Sequence, residues 1–206
     1  NDVIVLGGYG DEVFGGDGDD DIDGGIANDP NNDFDYIDGG AGNDIIRINN
    51  GVAVGGVGFD EIRATFVVLG GDDSVEARYR SASVGIVANL TASTQGGLVG
   101  GSNASGFRVA DGLGSYDLLF GVHRLTDSDF NDSFFVDHTY ENSYGNWIEI
   151  RLGEGDDSVT FSGVDIGRVS YTNAGGGVLA DLEAGTATDL NPSDNFIGDD
   201  IFTGAN

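Results

Sequence analysis

Along most of this chain a large apolar residue stands two places after an aspartate. The pairs run Asp2/Ile4, Asp11/Val13, Asp20/Ile22, Asp35/Ile37, Asp44/Ile46, Asp60/Ile62 and Asp73/Val75. They resume as Asp117/Leu119, Asp132/Phe134, Asp157/Val159 and Asp200/Phe202. Side chains i and i+2 share one face of a strand. Each pair therefore predicts a short strand whose aspartate points inward at its mouth and whose apolar residue enters the core. Glycine-rich stretches between the pairs predict tight loops. At the start the spacing is strict: Asp2, Asp11 and Asp20 stand nine apart, as do Ile4, Val13 and Ile22, and Gly7, Gly16 and Gly25.

The run GGDGDDDID (Gly15 to Asp23) fills every position of the pattern G-G-x-G-x-D-x-U-x, where U is a large apolar residue. That nonapeptide is a calcium-binding β-helix repeat. Two nonapeptides make one coil of loop, strand, loop and strand, so a coil takes 18 residues, the separation of Asp2 and Asp20. Loops one coil apart then stack, with room for a cation between them. Glycines supply positive φ and let carbonyl oxygens converge. Carbonyls and carboxylates together form the all-oxygen shell that Ca²⁺ prefers.

The spacing then loosens. Asp20 to Asp35 predicts a bulge of about six residues around Ile26 to Asn31, and Asp44 to Asp60 one of about seven near Ile48 to Val54, since insertions in repeats map to surface loops. Strand-like runs without the glycine-aspartate signature continue the array at Val84 to Ala92, Asn146 to Leu152 and Val169 to Thr172. A longer repeat overlies the short one. LGGDDSVEA (Leu69 to Ala77) resembles LGEGDDSVTF (Leu152 to Phe161), and GIVANLTAST (Gly85 to Thr94) resembles GVLADLEAGT (Gly177 to Thr186). The expected organisation is a dense array over 1–75 and a degenerate continuation over 76–206, with related halves at about 69–151 and 152–206. One elongated domain fits better than two, because no polar or proline-rich linker divides the chain. The start at Asn1-Asp2, inside a repeat, and the close at Gly204-Ala205-Asn206 suggest a segment of a longer array or a processed product.

Charge sharpens the picture. There are 36 acidic residues against 8 basic ones, all arginine, for a net charge of −28. Such a balance opposes nucleic acid, whose phosphates need cations, and anionic membranes; no apolar run is long enough to insert into a bilayer. Acidic chains are often disordered, but 37 glycines at repeated offsets favour carboxylates that collect a hard cation. Without cysteine there are neither disulfides nor thiolate metal sites.

GGDGDDDID and GGAGNDIIR (Gly39 to Arg47) resemble the repeats-in-toxin, or haemolysin-type, calcium-binding repeats of secreted bacterial proteins. DLLFGVHRLTDSDFNDSFFVD (Asp117 to Asp137) and SYTNAGGGVLADLEAGTATD (Ser170 to Asp189) resemble elements found between such arrays. The resemblance implies an all-β, right-handed parallel β-roll or β-solenoid with several Ca²⁺ ions between stacked loops. It also implies type I secretion from a Gram-negative cell and an extracellular or cell-surface location. By family position the carboxylate ligands would be Asp2, Asp11, Asp20, Asp35, Asp44, Asp60 and Asp73, with Asp132, Asp157 and Asp200 further on. The loop glycines would be Gly8, Gly10, Gly16, Gly18, Gly25, Gly40, Gly42, Gly56 and Gly58. Three loops depart from the pattern: Leu6 to Phe14 shifts its glycines by one, LGGDDSV lacks a loop residue, and Glu154 replaces a glycine.

Other chemistry is weaker. Asp19 to Gly24 reads D-x-D-x-D-G, but the twelfth position is Pro30 and no helical periodicity flanks it, against an EF-hand. Any two of 36 acids could be chosen as a glycosidase pair; Glu141, Glu149 and Glu183 are expected on the solvated surface. His123 and His138 lack zinc spacing. Trp147, Tyr140 and Tyr144 are expected to cover an irregular coil rather than bind sugar.

The expected function is non-enzymatic: a structural module of a secreted protein that folds when calcium binds outside the cell. Two alternatives are a self-assembling surface protein (adhesin, S-layer or filament subunit) and an accessory domain of a secreted polysaccharide-active enzyme. Partners are calcium ions and neighbouring repeats or other copies stacked end to end.

Overall fold

The computed structural model describes residues 1–25, 34–65, 74–90, 107–137, 147–162, 166–172, 174, 178–181, 185–189 and 199–203. The described chain is all-β. From β2 (Glu12–Asp17) onward it passes back and forth between two sheets: β3 (Asp21–Asp23), β5 (Ile45–Ile48) and β7 (Glu61–Ala64) in one, and β2, β4 (Asp35–Ala41), β6 (Gly51–Val57) and β8 (Val75–Arg78) in the other. Neighbours within each of these rows are parallel. The result is the architecture of a β-solenoid or roll, with the core between two parallel-stranded walls.

The two-residue period decides which side chains fill that core. In one sheet Ile4, Ile22, Ile46, Ile62 and Leu119 stand in register. In the other the row is Val13, Ile37, Ala53, Ala77, Leu125, Ile150 and Val169. From Ile22 to Leu119 and from Ile37 to Ile150 every member is fully buried. Each large aliphatic side chain so buried contributes about 1.5–3 kcal/mol, which makes these two rows the main cohesive force.

Two features differ from the sequence-based expectation. The residues near Ile48 to Val54 are not a surface loop. β6 runs through them, and Val52, Ala53 and Val54 are 3%, 0% and 7% exposed. The 16 residues from Asp44 to Asp60 make a whole coil, because its second corner is the short turn at Asn49-Asn50 rather than a glycine-aspartate loop. The bulge expected around Ile26 to Asn31 lies outside the described residues.

The second difference is a reversal of direction. β9 (Val87–Leu90), β10 (Phe107–Ala110) and β11 (Tyr116–Phe120) form an antiparallel meander. β11 lies parallel to β7, and β9 lies parallel to β13 (Ser133–Asp137). The meander is thus spliced into the larger sheet, which among the described residues holds twelve strands against seven in the other. A second meander, β17 (Val178–Asp181), β18 (Thr186–Asp189) and β19 (Asp199–Thr203), joins β15 (Ser158–Ser162) through β19. Similarity between GIVANLTAST and GVLADLEAGT is therefore the similarity of two meanders' first strands.

Candidate metal centre

Three turns share one backbone: Gly15 to Asp20, Gly39 to Asp44 and Gly55 to Asp60. They join β2 to β3, β4 to β5 and β6 to β7. Gly16, Gly40 and Gly56 stand in register, with φ of 95°, 101° and 101°. The fourth-place glycines Gly18, Gly42 and Gly58 have φ of 111°, 138° and 149°. Side chains are excluded here for two reasons. L residues rarely adopt these angles, and a Cβ on Gly40 or Gly56 would overlap the carbonyl oxygen of the glycine one coil below.

The aspartate that ends each turn is buried: Asp20, Asp44 and Asp60 are 2%, 1% and 2% exposed. Each carboxylate receives the backbone N–H of the aspartate one coil earlier. Asp2 N–H donates to Asp20 Oδ1 (2.6 Å), Asp20 N–H to Asp44 Oδ1 (2.7 Å), Asp44 N–H to Asp60 Oδ1 (2.8 Å) and Asp60 N–H to Asp117 Oδ1 (3.3 Å). A second column follows the meander, where Asp132 N–H donates to Asp157 Oδ1 (2.9 Å) and Asp157 N–H to Asp200 Oδ1 (2.9 Å).

The other oxygen is what points to a ligand. Oδ2 of Asp20, Asp44, Asp60 and Asp157 is buried and receives no hydrogen bond. In the glycine turns this oxygen faces the first glycine: a Cβ on Gly15, Gly39 or Gly55 would stand 2.8, 2.5 or 2.6 Å from it. The carbonyl oxygens of Gly39 and Gly55 approach the same points from the next coil, on Gly15 and Gly39 respectively. A donor-less carboxylate oxygen and a carbonyl oxygen therefore converge beside Gly15 and Gly39, and two carboxylate oxygens, of Asp60 and Asp117, beside Gly55. An oxygen-only donor set with negative charge suits a hard divalent cation, Ca²⁺ above all. The residues present fit the ion.

The remaining expected positions divide. Asp11 and Asp35 meet at the opposite corner, where Asp11 N–H donates to Asp35 Oδ1 (3.0 Å) and Asp35 is fully buried. A Cβ on Gly24 would stand 3.0 Å from Asp35 Oδ2 and 3.1 Å from the Arg47 carbonyl oxygen. Gly25, with φ of 80°, packs on the carbonyls of Leu6 and Gly7. Gly8 and Gly10 lack the positive φ of the other loop glycines, so the loop with shifted glycines has a different backbone. Asp2 is exposed at the head of its column. Asp73 lies outside the described residues.

Residues beyond the expected set also enter the centre. Asp117 closes the first column, 1% exposed, with its Oδ2 3.1 Å from the Cβ position of Gly55. Its place two before Leu119 was the signal. Asp111, also 1% exposed, accepts the N–H groups of Leu113 and Ser115. Asp127 is fully buried and groups with Asp132 and Asp157, one oxygen of each lying within 4.8 Å of the others. Five places before Asp132, it stands where a glycine opens the other turns.

This crowding disfavours ionisation. Burial, followed by the charges of Asp44 and Asp111, pushes Asp60 up to about 7. Burial, with Asp200 and Asp132 next, pushes Asp157 up to about 8. Burial and the Asp157 charge push Asp127 up to about 9. Asp117 is raised by burial and by Asp60 and Asp111. Without a cation these columns must take up protons or endure their own repulsion.

Several weaker readings also resolve. Asp21 to Asp23 is strand β3, a strand where an EF-hand needs a loop, and no helix occurs among the described residues. Glu149 is not solvated surface. It is 2% exposed and paired with Arg124 (2.9 Å), Arg151 (3.6 Å) and Arg168 (3.7 Å), because the strands on either side of β14 (Trp147–Arg151) carry arginines in register. His123 is fully buried, and burial pushes its imidazole down to about 4, so it stays neutral. His138, Tyr140, Tyr144, Glu141 and Glu183 lie outside the described residues. Among the described residues no helix is long and apolar enough to cross a membrane. No family model matches the chain, and no curated protein matches it.

Proposed function

We propose that this chain is a calcium-dependent structural module of a secreted bacterial protein: a right-handed parallel β-roll that folds when Ca²⁺ fills its glycine-aspartate turns outside the cell. The observation that carries this reading is the repeated buried Oδ2, at Asp20, Asp44 and Asp60, each beside a glycine and without a hydrogen-bond donor. Carbonyl oxygens of the stacked turns would complete each shell.

The physical case is one of charge. Two carboxylates about 5 Å apart repel by roughly 3 kcal/mol at an effective dielectric of 20. A few such pairs rival the net stability of a domain, about 5–15 kcal/mol. A cation held between coils reverses the sign of that term. Extracellular calcium modules bind at about 0.1–1 mM, so cytosolic calcium would leave the turns empty and the medium outside would fill them. A chain of net charge −28 would thus stay expanded during export and collapse afterwards.

Far-UV circular dichroism during a calcium titration tests this. The expected result is a cooperative gain of β signal in the 0.1–1 mM range, reversed by EGTA. A β spectrum indifferent to both additions would refute the proposal.

A further inference from the structure

The turn Asp127-Ser128-Asp129-Phe130-Asn131-Asp132 keeps the final aspartate of the glycine turns and none of their glycines. It joins β12 (Arg124–Thr126) to β13. Its first residue takes the place of Gly15, Gly39 and Gly55. There, a side chain would run into the aspartate of its own turn. Here the aspartate is held elsewhere: Asp132 Oδ2 accepts Ser128 N–H (2.9 Å), and Oδ1 accepts Ser128 Oγ (2.7 Å) and Ile86 N–H (2.6 Å). Asp127 can then put a carboxylate into the space that a glycine elsewhere leaves open.

Three carboxylates meet as a result. Asp127, Asp132 and Asp157 are 0%, 1% and 2% exposed, with one oxygen of each within 4.8 Å of the others. Asp127 Oδ2 accepts Gly153 N–H (2.6 Å) and Asp157 Oδ1 accepts Asp132 N–H (2.9 Å). Asp127 Oδ1 and Asp157 Oδ2 receive no donor at all. The neutral donors fix the side chains without cancelling their charge.

We propose that Asp127, Asp132 and Asp157 form a divalent-cation site of their own, of the calcium class, in a turn that has no glycine. The inference rests on the calcium reading above and deepens it: to the expected ligands Asp132 and Asp157 it adds Asp127. One ion at the Ca–O distance of about 2.3–2.6 Å can reach oxygens roughly 4.6–5.2 Å apart, which covers the observed spread. Charge also favours a cation. The three carboxylates stand beside the buried Asp200, whose Oδ1 accepts Asp157 N–H (2.9 Å), while the nearby Arg80 is exposed. A shared proton, the rival occupant, satisfies two oxygens of three residues and leaves a buried negative charge.

Crystals of the whole chain grown in CaCl₂ and soaked in TbCl₃ test the site by anomalous scattering, with bound calcium counted by equilibrium dialysis. The expected result is a peak among the three carboxylates that disappears in Asp127→Asn, with one ion fewer per chain and the peaks at the glycine turns retained. Peaks at the glycine turns and none at the triad would overturn this inference alone. No peaks anywhere would overturn the calcium reading with it. A triad peak that survives Asp127→Asn would remove Asp127 from the site. If that variant does not fold, the wild-type map decides the question unaided.

Discussion

The N–H of Asp20 donates to Oδ1 of Asp44 across 2.7 Å, although the two residues are 24 apart in sequence. One carboxylate therefore does two jobs: Oδ1 ties adjacent coils together and Oδ2 faces the cation space. The two jobs can be separated by substitution. Asp44→Asn keeps an amide oxygen for the Asp20 N–H but gives up the anionic ligand. Asp44→Ala loses both and leaves a buried N–H unpaired, at a further cost of about 1–3 kcal/mol. Calcium titrations should show a raised midpoint for both variants. Urea melts at saturating calcium should rank Ala well below Asn; equal melts would mean that the tie contributes nothing.

Glycine replacement should depend on place rather than on φ alone. Gly16 and Gly40 both have positive φ, 95° and 101°. A Cβ on Gly16 meets nothing within 4 Å, whereas one on Gly40 overlaps the Gly16 carbonyl. Gly16→Ala should therefore cost only the backbone penalty, about 1–2 kcal/mol. Gly40→Ala must also push two coils apart. Thermal melts in calcium should show the larger loss for Gly40→Ala.

The metal-free chain should be steadier in acid. Folding raises Asp60 to about 7, Asp157 to about 8 and Asp127 to about 9, above the ordinary value of about 3.9. Groups whose folded pKa is raised favour the folded state at low pH, and that stability is lost as pH rises through the folded values. In calcium-free buffer far-UV circular dichroism should therefore show more β signal at pH 5 than at pH 9. A β signal that rises over that window would contradict the burial of these carboxylates.

Glu149 supports the smaller sheet through its arginines. Glu149→Ala removes an anion from Arg124 and Arg151, whose side chains are 27% and 22% exposed, although Arg151 keeps Glu76 at 2.7 Å. The loss should fall below the about 3–5 kcal/mol of a fully buried pair, since both guanidiniums keep contact with water. At saturating calcium it should appear as a lowered urea midpoint with the number of bound calcium ions unchanged, because the partners of Glu149 are arginines.

Local chemistry was legible where it repeats. The turns at Gly15, Gly39 and Gly55 could be read from glycine offsets, because φ and the i, i+2 rule act over a few residues. Asp117 carried the same Asp-apolar offset. Asp127 did not stand out, because one aspartate in a run with Asp129 and Asp132 looks like solvated surface until the coil above it is in place. Glu149 was misread for the same reason: its arginines arrive from strands 25 residues before it and 19 after it.

By itself the sequence determined the strands that carry the aspartate-apolar pairs, the inward set of each and the backbone of the glycine turns, since all three follow from steric rules within one coil. Only the tertiary structure decided which coils meet. The separations of 18, 24, 16 and 57 residues along the first aspartate column depend on how far the chain wanders before it returns. No local pattern encodes that distance. LGGDDSVEA and LGEGDDSVTF make the point: nearly the same words, they end in β8 of one sheet and β15 of the other, because an aspartate corner can turn the chain onto either wall.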